Sequence, residues 1–349
     1  MPKTKLLSLV CLFVIFACAS VLRAQNRNLE IYWVDVEGGA ATLVIAPSGE
    51  SLLVDTGWEE RDAKRIFAAA QQAGIKQIDY FVLSHYHPDH AGGIPALAKL
   101  IPIDKCFDRG DFVEPMNQKW FDNYMGACRD RRTSVKAGDK IPLKGVDVEV
   151  VASNGQIVGK VKGGGKPNPL CAGAENKPKD GAENQLMVST LFTYGKFKFA
   201  DMADLDWEKE MELACPNNRL GEVTIYQAGR HGALDGAGAP AFLYAVRPQV
   251  VVVNNGPRKG LGGPSPGGKA AQTVHYERLA KIPGVEGIWQ SHLSLLDPAK
   301  DHNTDGMMIA NLEDSPECKG NWIKASVAKD GSFTVTNGRN GFSKTYKVR

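Results

Sequence analysis

The sequence is short of several things at once. It has no Cys-x-x-Cys pair, which excludes a cysteine-built zinc knuckle. Beyond its first two dozen residues it has no apolar run of bilayer-spanning length, so no helical membrane span is expected in the mature chain. It has little net charge: three of the 42 Lys and Arg, and none of the 39 Asp and Glu, fall in residues 1–24, and the remainder is balanced. A bulk electrostatic pull on nucleic acid is thereby excluded, leaving only local patches such as "RDRR" at 129–132. Histidine is scarce too, with seven in 349 residues.

The opening segment differs from the rest. Lys3 and Lys5 precede "LLSLVCLFVIFACAS", and "VLRAQ" offers a small-residue cleavage site after Ala24. That pattern predicts a secretory signal over 1–24 and an exported, periplasmic or secreted chain. "IFAC", ending at Cys18, fits a lipoprotein site only loosely. Five cysteines follow the signal: Cys106, Cys128, Cys171, Cys215 and Cys318. Export permits disulfides, and the odd number leaves at least one thiol over or paired between chains.

Alternating and apolar runs broken by Gly-Gly and "PSGE" predict three strands across residues 29–54. "EERDAKRIFAAAQQA" at 59–73 has helical periodicity and stops at Gly74, "IDYFVL" reads as a buried strand, and "GGIPALAKL" opens another helix. Later runs, "DVEVVAS", "LMVSTLFTY", "KFKFADM", "VTIYQAG" and "QVVVVNNG", read as strands, with a short helix at "DWEKEMELA". Residues 154–183 and 256–268 are loop-like, and the tail from Trp322 reads as a terminal hairpin. Strand-then-helix order in both halves predicts a two-layered sheet core with helices outside.

Three of the seven histidines sit within six positions, in "VLSHYHPDHAGG". His85 and His87, two apart on extended backbone, share a side and could hold one ion; Asp89 and His90, after the turn at Pro88, reach a neighbouring position. Imidazole and carboxylate suit zinc and its neighbours. Gly92 and Gly93 let the chain pass close to such a site.

"HYHPDHAGG" resembles the signature of the metallo-β-lactamase superfamily. The resemblance implies an α/β fold, an αββα sandwich of two mixed sheets flanked by helices with one or two divalent metals at the sheet edges. It spans the mature chain as a domain at 25–320 followed by a C-terminal β extension at 321–349. "LLVDTGW" looks like the family's first motif, with Asp55 bracing the histidine loop. "FKFADMADLDWE" is similar to its "TGD" strand end, which makes Asp204 the bridging carboxylate, with Ala203 in place of the glycine and Asp201 ranked second. "YQAGRHGALDG" is similar to the late histidine motif and assigns His231 to the second metal. The opening strands, "AGDKIPLKGVDVEVV" and "NQLMVS" resemble more closely the extracellular nuclease-like domain of the ComEC/Rec2 competence proteins, with Arg230 replacing the first of two late histidines.

One absence separates this chain from most of that superfamily: no histidine occurs between His90 and His231. Glu183 or Asn184 stands where the missing ligand would come from. The expected first site is therefore His85, His87 and Asp204 with an oxygen ligand or water, filled by zinc or by an oxygen-tolerant ion such as manganese. Asp89 and Asp204 carry the expected catalysis, in which metal-bound hydroxide attacks phosphorus or a carbonyl carbon. Arg230, Arg258 and Lys259 are candidates to neutralise substrate. His292, in "IWQSHLSLL" after a strand, reads first as a core or surface histidine and second as one that approaches the site from the C-terminal part; His275 and His302 are left without a role. The expected substrate is a small-molecule or nucleic-acid phosphodiester, with no protein partner. The alternatives are a β-lactam, lactone or other ester or amide hydrolase, and a non-catalytic metal-binding protein with a decayed site.

Overall fold

Apolar residues that recur on both faces of short extended runs can be buried only between layers, and the first strands show this. In the computed structural model, which describes residues 27–177, 181, 183–262, 275–296 and 302–349, β1 (Leu29–Trp33), β2 (Thr42–Ile45) and β3 (Ser51–Val54) form an antiparallel meander. Its second turn is closed by hydrogen bonds between Ala46 and both Gly49 and Glu50. The expected signal at 1–24 lies outside the described residues.

Helix α1 (Glu60–Gln72) follows and buries Ala63, Ile66, Ala69 and Ala70 as one stripe. It ends where Gly74 takes the left-handed φ of 75°. Next come β4 (Ile78–Val82), α2 (Pro88–Ala91), α3 (Ile94–Leu100), β5 (Ile103–Asp108), α4 (Gln118–Cys128) and β6 (Arg132–Ser134). The second half contains β7 (Lys140–Ile141), β8 (Asp147–Ser153), β9 (Gln156–Ile157), β10 (Lys166–Pro167), α5 (Glu183–Leu186), β11 (Ser189–Tyr194), β12 (Phe197–Asp201), α6 (Trp207–Ala214), β13 (Asn217–Asn218) and β14 (Ile225–Gln227). It continues with α7 (Pro240–Val246), β15 (Val250–Val253), α8 (His275–Ala280), β16 (Gly287–His292) and β17 (Ile309–Asn311). The chain closes with β18 (Ile323–Val327), β19 (Ser332–Asn337) and β20 (Ser343–Lys347).

Two large mixed sheets result. The first has the order β20-β19-β18-β1-β2-β3-β4-β5-β6, and the second runs β17-β16-β15-β14-β12-β11-β8-β7, with β9 paired to β8. Each changes from antiparallel to parallel part-way, at β3–β4 in one and at β12–β14 in the other. Between the sheets lies a core of Leu29, Ile31, Trp33, Val44, Phe192, Phe199, Val250 and Val252, with Trp33 edge-on to Phe199 at 5.3 Å. Helices cover the outer faces, Ile66 and Leu97 packing on Phe81 on one side and Leu213 and Phe242 on Val251 and Val253 on the other. At about 1.5–3 kcal/mol per buried large side chain, these layers are the main source of stability. The architecture is the expected αββα sandwich.

Two expectations change in detail. The C-terminal segment is three strands, and β18 pairs with β1 (Ile31↔Ala325), so 321–349 completes the first sheet; β1 would otherwise be an unprotected edge. Within the expected loop at 154–183, the described residues 154–177 are pinned by a Cys171–Cys215 disulfide and by β10 pairing with β13. A second disulfide, Cys106–Cys128, ties β5 to α4, and Cys318 is free and buried. Among the described residues no helix is long and apolar enough to cross a membrane.

Candidate metal centre

The parallel strands of both sheets end at one edge of the sandwich, where open α/β sheets concentrate polar groups. From β4 the chain passes through Leu83 and Ser84 into the histidine loop. Asp55, left-handed at φ 62° just past β3, fixes that loop from below. Its carboxylate accepts from the Ser84 amide (2.8 Å), the Ser84 hydroxyl (2.7 Å) and His90 Nδ1 (2.7 Å). With Nδ1 engaged, His90 presents Nε2 to the cleft. The Ser84 hydroxyl also lies 2.9 Å from His85 Nδ1, which leaves His85 Nε2 facing His87 Nδ1 at 2.9 Å. The tight entry to α2 and α3 requires Gly92: a Cβ there would lie 1.8 Å from the Trp58 carbonyl oxygen.

The second sheet contributes from two strand ends. After β12, Ala203 turns left-handed (φ 49°) and sends Asp204 towards the histidine loop. After β14, Arg230 and His231 are both left-handed (φ 51° and 57°), a strained pair of the kind that gathers at functional sites. The Tyr226 hydroxyl accepts from the Gly229 amide (2.9 Å) and steadies this turn.

The two halves meet at Asp89, His90, Asp204 and His231, all buried, each offering a ligand atom within 4.8 Å of the others. His231 Nε2 lies 3.0 Å from Asp89 and 3.3 Å from Asp204, and His90 Nε2 lies 3.5 Å from each carboxylate. Both Nε2 atoms are buried with no hydrogen bond of acceptable geometry among the described residues. Imidazole nitrogens left without a hydrogen bond, beside buried carboxylates, fit a divalent cation of the zinc type. Burial holds the His85 imidazole well below its usual pKa, helped by His90 and His87, so it is neutral and able to ligate at pH 7. Burial also lowers His87. Burial opposes ionisation of Asp89 and Asp204, but the flanking His90 and His231, with Lys259 beside Asp89, hold both carboxyls well below the ordinary range.

Other sequence-derived candidates land in distinct places. Asp201 is not in the cluster: its Oδ1 accepts from the Ala203 amide and Gln227 (both 3.1 Å), and burial pushes its carboxyl up to about 7. Glu183 lies in a buried ion pair with Arg109 (2.6 Å) and accepts from the Tyr86 amide (2.7 Å). With both oxygens engaged, it braces the middle of the histidine loop instead of replacing the missing histidine. Asn184 is buried beside it in α5. Arg258 is a largely exposed partner of Asp314 (2.7 Å), away from the cluster. Lys259 pairs with Asp89 and lies over the Trp58 ring, 4.3 Å from its centroid. The Arg230 side chain runs along Gly236, where a Cβ would meet Nη1 at 2.5 Å. The sequence assigned no role to Ser84, Trp58 or Arg109; Ser84, adjacent to His85, and Trp58, at the end of "LLVDTGW", carried a local signal, and Arg109 carried none.

The metallo-beta-lactamase superfamily profile matches residues 34–166. Recombination protein 2 of Haemophilus influenzae is 23% identical over 250 residues, 70% of this chain and 26% of its own length. A metal-dependent hydrolase of Cupriavidus necator is 34% identical over 71 residues, 20% of this chain and 23% of its own. The chain spans about a quarter of the length of the curated relatives it matches. Among solved structures, the metallo-beta-lactamase fold protein YhfI of Bacillus subtilis superposes with a TM-score of 0.42 at 10% identity, covering 74% of this chain and 95% of that one. The histidine loop lies inside the matched span, so over residues 34–166 this chain is similar to the metallo-beta-lactamase superfamily.

Proposed function

We propose that this protein is an exported metal-dependent hydrolase acting on phosphodiesters. The observation that carries the proposal is the meeting of Asp89, His90, Asp204 and His231 from two sheets, beside His85 and His87. Asp89, His90, Asp204 and His231 would hold a divalent ion, which would supply Lewis acidity to the reaction. The chain's own groups do the rest. Asp89, kept ionised by its neighbours, would orient the attacking water as well as ligate, and Asp204 would bring the second sheet into the ligand set. Asp55, through His90 Nδ1, keeps Nε2 directed into the cleft. Lys259 places a cation beside Asp89, where a phosphate oxygen arrives.

Phosphodiester chemistry is favoured over carboxylic esters or lactams for two reasons. A cationic Lys259 at the cluster suits an anionic substrate, and the relative aligned over most of this chain is named for recombination. Export is supported by the two disulfides, which persist in oxidising compartments. The test is turnover of a chromogenic phosphodiester by the purified chain, stripped by chelator and resupplied with zinc or manganese. Turnover restored by metal, and lost in His87→Ala, is expected. Hydrolysis of a lactam or thioester with none of the phosphodiester would replace this substrate class; the shorter alignments to fungal thioesterases make the thioester the second substrate to try.

A further inference from the structure

A second group of metal-ligating side chains lies outside the cleft just described. Asp35 follows β1, His292 ends β16, and Cys318 lies between β17 and β18; all three are buried, and their ligand atoms lie within 4.8 Å of one another. We propose that Asp35, His292 and Cys318 form a separate binding site for a zinc-like divalent ion, one that fastens the two sheets together.

The geometry supports this residue by residue. Cys318 Sγ and His292 Nε2 are 3.9 Å apart, a separation that one tetrahedral ion spans with a sulfur bond of about 2.3 Å and a nitrogen bond of about 2.0 Å. His292 Nδ1 lies 3.1 Å from the Leu293 carbonyl oxygen, the outer contact that fixes a ligating imidazole with Nε2 turned inward. The Glu313 carbonyl oxygen, 3.2 Å from the same Nε2, supplies a fourth donor. Asp35 Oδ1 is used by the Glu37 amide (2.9 Å), whereas Oδ2 is buried with no hydrogen bond among the described residues. A carboxylate oxygen left so is costly without a cation. The Arg65 guanidinium is 3.9 Å from Oδ2, but its hydrogen bonds go elsewhere: to the Asp35 carbonyl (3.2 Å), the Cys318 carbonyl (2.6 Å) and Glu37 (2.9 Å). Arg65 therefore grips the main chain at two of the three ligands and holds them in place. Burial lowers the His292 pKa, but the Cys318 and Asp35 beside it push it up to about 9, so an ion binding here would displace a proton from Nε2; a sulfur ligand in the set favours zinc over magnesium or calcium. Cys318 is the free cysteine among the described residues, so the site has a spectroscopic signature that the histidine cleft lacks.

The test uses the full chain, stripped by chelator and titrated with cobalt(II) without reductant. A thiolate-to-cobalt charge-transfer band in the near ultraviolet is expected, saturating with one equivalent. Cys318→Ser is expected to abolish the band while keeping most metal-restored phosphodiester turnover. This comparison also sets aside Cys11 and Cys18. If Cys318→Ser does not fold by circular dichroism, Asp35→Asn keeps the thiol and is expected to weaken cobalt binding at this band by at least about tenfold. Absence of the band in the wild-type protein would overturn the proposal, as would its survival in Cys318→Ser or unchanged affinity in Asp35→Asn.

Discussion

The two sheets supply the metal centre in different ways. The first delivers His85, His87, Asp89 and His90 from one loop and holds them with side chains: the Asp55 carboxylate accepts two hydrogen bonds from Ser84 and one from His90. The second delivers Asp204 and His231 from two separate strand ends and holds them with the backbone, through left-handed Ala203, Arg230 and His231. Its buried brace, Glu210 in α6, acts indirectly. Glu210 accepts from the Ala239 amide (2.8 Å) and lies 3.4 Å from the Tyr226 hydroxyl that steadies the Gly229 turn. A side-chain network concentrates its cost in one residue, whereas a backbone device spreads it over several strained positions.

That contrast can be broken most forcefully at Asp55. Asp55→Ala strands the Ser84 amide and His90 Nδ1 in the interior, and should cost about 3–5 kcal/mol in denaturant unfolding while abolishing metal-dependent turnover. A loss under about 1 kcal/mol would show that the network is not what holds the loop. In the second sheet, Asp204→Asn should lower kcat/KM by about a hundredfold or more, and Asp201→Asn, which lies outside the cluster and hydrogen-bonds with Ala203 and Gln227, by about tenfold. Equal losses would erase the distinction between the two aspartates.

A pH dependence separates the braces further. Burial pushes the Glu210 carboxyl up to about 8. Its folded pKa lies above the unfolded value, so the folded state holds a proton that unfolding releases. Stability should therefore fall as pH rises from about 4.5 to about 8, on the order of 2 kcal/mol after relaxation. Glu210→Gln should remove that fall, read as Tm at pH 5 and pH 8; an unchanged slope would place the titration elsewhere. The smallest change is Ala203→Gly, which relieves a left-handed alanine and should stabilise by about 1 kcal/mol with turnover intact. Destabilisation would mean that the Ala203 methyl packing outweighs the strain.

The same contrast explains what the sequence could reveal. Four groups in one loop leave a legible pattern, because the strand before them and the glycines after them lie in the same dozen residues. Asp204 and His231 needed a family resemblance, since nothing local says that two distant strand ends converge. Glu183 looked like a substitute ligand by position alone; its true partner, Arg109, lies 74 residues earlier, and no periodicity relates them. Asp35, His292 and Cys318 were invisible as a group for the same reason, each being an isolated residue at the end of a different segment. The layering was readable from apolar periodicity, but the attachment of the last three strands beside β1 depends on an edge that only the folded sheet possesses.

The central claim is that one ion is shared by the two sheets, and the most direct measurement is the number of zinc equivalents retained after stripping and reloading. Wild type is compared with His90→Ala, His231→Ala and the double variant. The account predicts that each single variant loses the same one equivalent and that the double variant loses no more, because both histidines serve one ion. Full retention in both single variants, or loss of two equivalents in the double, would contradict it.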